Sequence, residues 1–341
     1  MYISAKRHTF EKYFNFINDE DIMPTNVQEK IKMGVSSCLL GNKVRFDGGH
    51  KHNRYITETL GHFFDYVPVC PEVECGLPTP REAMRLVGDP DNPRLVTNKT
   101  GIDHTESMNN WAKIRLRELE KENLCGFIFK NRSPSSGMER VKVYDDNKVA
   151  QNVGEGLFAR AFKKHFPLLP VEEEGRLHDL LLRENFIESV FVYRRWREAK
   201  KEGTPASLVK FHTEHKLLIL AHSENNYRDL CNLVGEAGQI DPQKSFEEYQ
   251  QGLMEAMNIK PTFTSHVNVL LQMVGFFKEF LSADEKQELL ELIDNYSNHF
   301  VPLIVPVTLM NHYARKYNET YLLNQYYLKP HPTELKLRNH A

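Results

Sequence analysis

From Ile31 onward, short apolar runs alternate with polar loops rich in glycine and proline. "IKMGVSS" (31–37) has the pattern of a buried strand and stops at Cys38. "FFDYVPV" (63–69) is a second such run and stops at Cys70. "LCGFIFK" (124–130) is a third and ends at Lys130. "RVKVY" (140–144) alternates apolar and polar positions, the signature of a half-buried strand. Between the second and third runs, Thr105 is placed to cap a helix. Met108, Trp111, Ala112, Leu116 and Leu119 recur along it at three- and four-residue spacing. Strands separated by helices predict an α/β domain, a small parallel sheet flanked by helices. No G-x-G-x-x-G follows the first strand, so a dinucleotide site is not signalled.

"HFPLLPVEEEGRLHD" (165–179) carries two prolines, an acidic run and a glycine, and reads as a boundary. Beyond it the apolar spacing is helical throughout, predicting an all-α C-terminal domain. Pro205 stands at one helix start, and Ser282 with Glu285 forms a capping box at another. Pro302 and Pro306 are expected to break or kink the helix near them. The expected organisation is an N-terminal extension (1–28), the α/β domain (29–165), a linker (166–179), the helical domain (180–330) and a loose tail (331–341). Residues 1–28 have no clear period, and Met23 is an alternative expected start.

Composition narrows the class. Apolar residues make up 40% and charged residues 26%, with a formal charge of −2, so no global basic field points to nucleic acid. No apolar run approaches the roughly 20 residues of a membrane helix, and the N-terminus lacks an apolar signal core. A cytoplasmic protein without membrane partners is expected. Its five cysteines would then stay reduced, as ligands, nucleophiles or buried fillers.

Ligands of open parallel sheets bind beyond the carboxyl ends of the strands. Three loops leave those ends: "SSCLLGNKVRFDGGHK", "CPEVECGLPTPR" and "NRSPSSGMER". Cys38, Cys70 and Cys75 are therefore expected on one side. Cys125 opens its strand and belongs near the opposite end, while Cys231 sits mid-helix as core filler. Three converging thiols admit a structural zinc completed by His50 or His52, an open catalytic zinc, an iron–sulfur cluster with one iron lacking cysteine, or simple packing. In the helical half, His212, His215 and His222 do not form H-E-x-x-H and read as core histidines. "YRRWREAKK" (193–201) mixes basic and aromatic residues but reads as a solvated helix face rather than a nucleic-acid contact.

"GVSSCLLGNKVRFDGGHK", "VPVCPEVECGLPTPRE" and "GFIFKNRSPSSGMERVKVY", in that order, resemble the thiouracil desulfidase (TudS) family. "FHTEHKLLILAHS", "HVNVLLQMVGFFK" and "PLIVPVTLMNHY" resemble the YbgA-like domain often fused behind it. The resemblance implies a 4Fe–4S cluster held by three cysteines. It also implies non-redox replacement of the thiocarbonyl sulfur of a thiolated pyrimidine by water, with release of hydrosulfide. Short members carry a cysteine ligand in the third loop where this chain has Ser136. Cys75 is the expected substitute, with Cys125 its rival, giving Cys38, Cys70 and Cys75 as metal ligands. Glu72 is the candidate general base or proton shuttle, against a plain partnership with Arg81. Ser133 matches the family's active-site serine, against a turn role before Pro134. Ser135 and Ser136 are candidates for the pocket wall. Arg45 and Asp47 could orient the base or simply pair with each other, and Lys130 could hold a phosphate. The alternative reading is a nucleic-acid or partner-binding protein with a degenerate or zinc-occupied cysteine site.

Overall fold

The computed structural model describes residues 29–239 and 241–339; the extension and Met23 lie outside them. The first apolar runs form β1 (Ile31–Ser36) and β2 (Phe64–Val69), paired parallel in register from Ile31–Phe64 to Ser36–Val69. Cys70 caps the one-turn helix α1 (Pro71–Glu74). An antiparallel hairpin follows, β3 (Met84–Val87) with β4 (Arg94–Thr97), then α2 (Thr105–Lys121). The third run is β5 (Phe127–Phe129), parallel to β1. After it come β6 (Val141–Tyr144), β7 (Ala150–Gly154), α3 (Leu157–His165) and β8 (Val171–Glu173). One sheet has the order β2-β1-β5-β8 and is wholly parallel; the second has the order β4-β3-β6-β7 and is mixed.

Alternation along the strands sorts side chains to two faces of the parallel sheet. Phe127 and Phe129 pack with Ala112 and Leu116 of α2 and with Phe158 and Phe162 of α3. Met33, Val35 and Ile128 face the other side, against Phe186, Ile187 and Val190 of α4 (Leu180–Glu202). The opposite stripe of α4, including Val192 and Trp196, enters the core of the helical region. One amphipathic helix thus belongs to both cores. Gly34 is required where β1 meets β5, because a Cβ there would stand 2.2 Å from Phe127 Cδ2. Gly34→Ala is expected to cost about 1–3 kcal/mol by overpacking, read as a lowered urea midpoint of the metal-free chain.

The helical region runs α5 (Pro205–His222), α6 (Glu224–Gly235), α7 (Pro242–Met257), α8 (Phe263–Phe276), α9 (Ala283–Ser297), α10 (Ile304–Lys316) and α11 (Thr320–Leu323). The predicted starts are where the chemistry put them. Pro205 opens α5, and the Ser282–Glu285 capping box opens α9 with hydrogen bonds of 2.8 and 3.2 Å. Pro306 sits in the first turn of α10, where its missing N–H costs no helical bond. His212, His215 and His222 are buried and each bonds a neighbour: the Tyr249 hydroxyl, the Phe211 carbonyl and the Ile259 carbonyl. No helix among the described residues is long and apolar enough to cross a membrane.

Two segments differ from expectation. Residues 166–179, read as a linker from their prolines and acids, contain the edge strand β8. The acidic run misleads because its glutamates are buried but partnered. Glu172 accepts from Arg176 Nε at 2.7 Å, Glu173 accepts from the Met138 amide, and Glu174 accepts from the Asn131 amide at 2.7 Å and pairs with Lys130. The C-terminal segment, expected to be loose, buries Leu335, Leu337 and Arg338. Both leucines join the core beneath the parallel sheet, and Arg338 is held by Glu184 and Glu188.

Candidate active site

The carboxyl ends of β1, β2 and β5 open onto one cavity of about 430 Å³. β1 runs into a tight turn, Ser37–Leu40, which points Cys38 at the cavity. β2 ends at Cys70, whose amide donates to Glu74 Oε1 at 2.8 Å and starts α1. β5 runs into Lys130, Asn131 and the serine loop 133–136. Gly156 lets α3 approach that loop: a Cβ there would stand 2.4 Å from the Ser135 carbonyl carbon.

Cys38 and Cys70 both line the cavity. Burial pushes the Cys38 thiol up to about 11, against the pull of Lys130. Burial, reinforced by the nearby Glu72 carboxylate, pushes the Cys70 thiol up to about 12. Both are therefore neutral near pH 7 unless a metal cation draws their protons off. Cys75 is placed differently. It is not on the cavity lining; its Sγ lies 3.3 Å from the Glu72 carbonyl oxygen, and it packs against the apolar cluster of Leu86, Met108 and Val141. Burial raises its thiol pKa as well. Cys125 sits at the far end of the sheet, its amide donating to the Lys32 carbonyl and its thiol beside Arg197. Cys231 Sγ lies 3.4 Å from His212 Nε2 in the helical region.

Glu72 is the hub of the polar wall. Its Oε1 accepts from the Ser135 hydroxyl at 2.6 Å; its Oε2 is 3.5 Å from Cys70 Sγ and 3.8 Å from Arg81 Nη2. Arg81 is itself tied to the Val44 carbonyl at 3.0 Å. Ser133 and Ser136 line the cavity, and the Ser136 amide donates to Ser133 Oγ at 3.2 Å. Ser135 lies off the lining, fully buried, and acts on Glu72 from behind. Arg45 is on the wall with its Nε 3.5 Å from Asp47, whereas Asp47 is exposed and off the lining. The Gly49 amide holds the Asp47 carboxyl below the usual carboxylate range. Lys130 lines the cavity while paired with Glu174. His50 and His52 are off the lining, and His52 Nε2 lies 2.8 Å from Thr57 Oγ1. The structure adds Lys51, Asn131 and Arg132 to the wall, and Ser36, which accepts from the Lys130 amide at 2.8 Å. Their sequence signal was position alone, immediately after a strand or within the same loops.

The lining carries Arg45, Lys51, Arg81, Lys130 and Arg132 against Glu72 as the one acid among the described residues. Two thiols on one wall fit a metal group held by thiolates, because a bound cation would supply the positive charge that their burial otherwise opposes. Ser136, not a third cysteine, shares that lining with them.

Residues 33–174 match the family described as 2-thiouracil desulfurase, and residues 216–332 match the protein of unknown function DUF1722. The chain is 32% identical over 154 residues to the uncharacterized protein YbbK of Bacillus subtilis (strain 168), covering 98% of that protein and 43% of this chain. It is 29% identical over 152 residues to the uncharacterized protein YbgA of Escherichia coli (strain K12), covering 90% of that protein and 44% of this chain. Among solved structures it is similar to the 4Fe–4S-dependent thiouracil desulfidase TudS at 31% identity and a TM-score of 0.37, covering 45% of this chain and 97% of that one.

Proposed function

The chain belongs to the 2-thiouracil desulfurase family, with a DUF1722 domain behind the matching region, and we propose that its cavity hydrolyses the carbon–sulfur bond of a thiolated pyrimidine. Written in full, 2-thiouracil and water give uracil and hydrosulfide plus a proton, with no net oxidation or reduction. The observation that carries this reading is the meeting of Cys38, Cys70 and Glu72 on one cavity at adjacent strand ends.

Cys38 and Cys70 are the proposed holders of a 4Fe–4S cluster; Cys75, expected from the sequence as the third thiolate, packs against the apolar cluster off the cavity lining. When bound, the cluster supplies a thiophilic Lewis acid through an iron that no cysteine ligates. The chain's own residues manage the rest. Glu72 accepts the proton of the attacking water. The Ser135 hydroxyl bond to Oε1 and the Arg81 guanidinium near Oε2 hold the carboxylate in place for it. Ser133 and Ser136 offer hydroxyls on the same wall to orient the water or the base. The basic lining favours an anionic substrate, either the thiolate form of the base or a nucleotide phosphate near Lys130 and Arg132.

The test is anaerobic reconstitution with iron and sulfide, followed by incubation with 2-thiouracil. The expected result is a brown protein, bound iron and inorganic sulfide, and uracil as product. Colourless protein that leaves 2-thiouracil intact would overturn the proposal.

A further inference from the structure

The helical region and the C-terminal segment hold a second cluster of titratable side chains, none of which lines the cavity of Cys38 and Cys70. Glu184 and Glu188 stand one turn apart on α4 and face His331 of the C-terminal segment. One ligand atom from each of the three lies within 4.8 Å of the others. Glu188 is almost completely buried. Both carboxylates reach a cavity of about 250 Å³, whose walls include Phe263, His266, Tyr296 and Leu303.

The imidazole is the informative member. His331 Nδ1 lies 3.2 Å from the Pro332 carbonyl oxygen, which can only accept, so the proton sits on Nδ1. That leaves Nε2 as a bare lone pair. It is buried and has no hydrogen-bond partner. Arg338 donates to Glu184 at 3.2 Å and to Glu188 at 3.0 Å, and His222 Nε2 lies 2.7 Å from Glu188. Those groups serve the carboxylates and give nothing to the imidazole. A buried lone pair that meets no donor is costly unless a proton or a metal cation meets it. An imidazole fixed through its other nitrogen by a backbone carbonyl is also the usual form of a metal-ligating histidine.

The segment bearing His331 is held in place for this. The Pro330 carbonyl accepts from Arg195 Nη1 at 2.9 Å, and the Arg338 carbonyl accepts from the Ile304 amide at 3.1 Å.

We propose that Glu184, Glu188 and His331 bind one divalent cation of the manganese, iron or zinc type, with its remaining coordination positions open to the adjoining cavity. Two carboxylates and one imidazole suit these ions better than magnesium or copper(I). The site is independent of the cysteines and gives the helical region a chemistry of its own.

The test is calorimetric titration of the EDTA-treated full chain with MnCl₂, and of the Cys38→Ser/Cys70→Ser chain with ZnCl₂ so that those thiols take no part. One equivalent of at least one ion is expected to bind. Its affinity should fall at least about tenfold in His331→Ala and in Glu184→Gln. These variants are chosen over Glu188 replacements, which would strand buried Arg338; circular dichroism and the unfolding midpoint confirm that they fold. Absence of binding by both ions, or binding of equal strength in the folded His331→Ala chain, would overturn the proposal.

Discussion

Replacing Cys70 by serine is expected to remove the iron from the reconstituted protein and the desulfurating activity with it. Cys38→Ser should do the same. The two thiols approach one cavity from neighbouring strand ends, and no other cysteine among the described residues lines it. Iron should fall from about four per chain to near zero, and turnover by at least about 100-fold. Cys125→Ser and Cys231→Ser should keep their iron, because those thiols lie at the far end of the sheet and in the helical region. Cys75→Ser and Ser136→Cys divide the remaining question. If Cys75 is the third ligand, its loss costs iron as severely as that of Cys70. If Cys75 is only a packed thiol, Cys75→Ser keeps iron, and Ser136→Cys, which adds a thiol to the lining itself, should slow iron loss to a chelator. Iron analysis of the anaerobically purified variants reads all of these outcomes.

Glu72→Gln is expected to retain iron and lose turnover by about 10²- to 10⁴-fold, the usual contribution of a positioned acid or base. The amide keeps an oxygen to accept from the Ser135 hydroxyl, so the wall should stay assembled. A carboxylate that mattered only as the partner of Arg81 would behave otherwise: Gln would cost stability and leave kcat nearly unchanged. The readout is kcat per bound iron, compared with the unfolding midpoint. Glu72→Gln protein with full iron and full kcat would remove Glu72 from the chemistry.

Much of this site was legible because the apolar runs stop abruptly. Strands ending at Ser36, Val69 and Phe129 put Cys38, Cys70 and Lys130 at one edge, and a parallel sheet makes that edge a shared one. The same reasoning sent Cys125 to the other end, where it bonds beside Lys32. What strand patterns do not carry is direction within a turn. Cys70 and Cys75 flank α1, and that one helical turn carries the Cys75 thiol toward the apolar cluster and off the cavity lining. Ser135, expected on the pocket wall, instead lies behind Glu72, because alternate serines of a tight loop point different ways. Strand β8 was hidden for a different reason. Its Glu172 and Glu173 are charged, yet Arg176 and backbone amides satisfy them, and such pairing is invisible until the partners are placed. The mixed sheet was similarly obscured, since β3 and β4 are only four residues each and carry arginines.

We propose that water replaces sulfur at the cavity holding Cys38, Cys70 and Glu72. The most direct measurement is single-turnover conversion of 2-thiouracil by the reconstituted chain in H₂¹⁸O, with product mass and hydrosulfide determined together. The expected product is uracil carrying one ¹⁸O, with one hydrosulfide released per uracil formed. Uracil without the label, or no uracil from a chain with a full complement of iron, would contradict it.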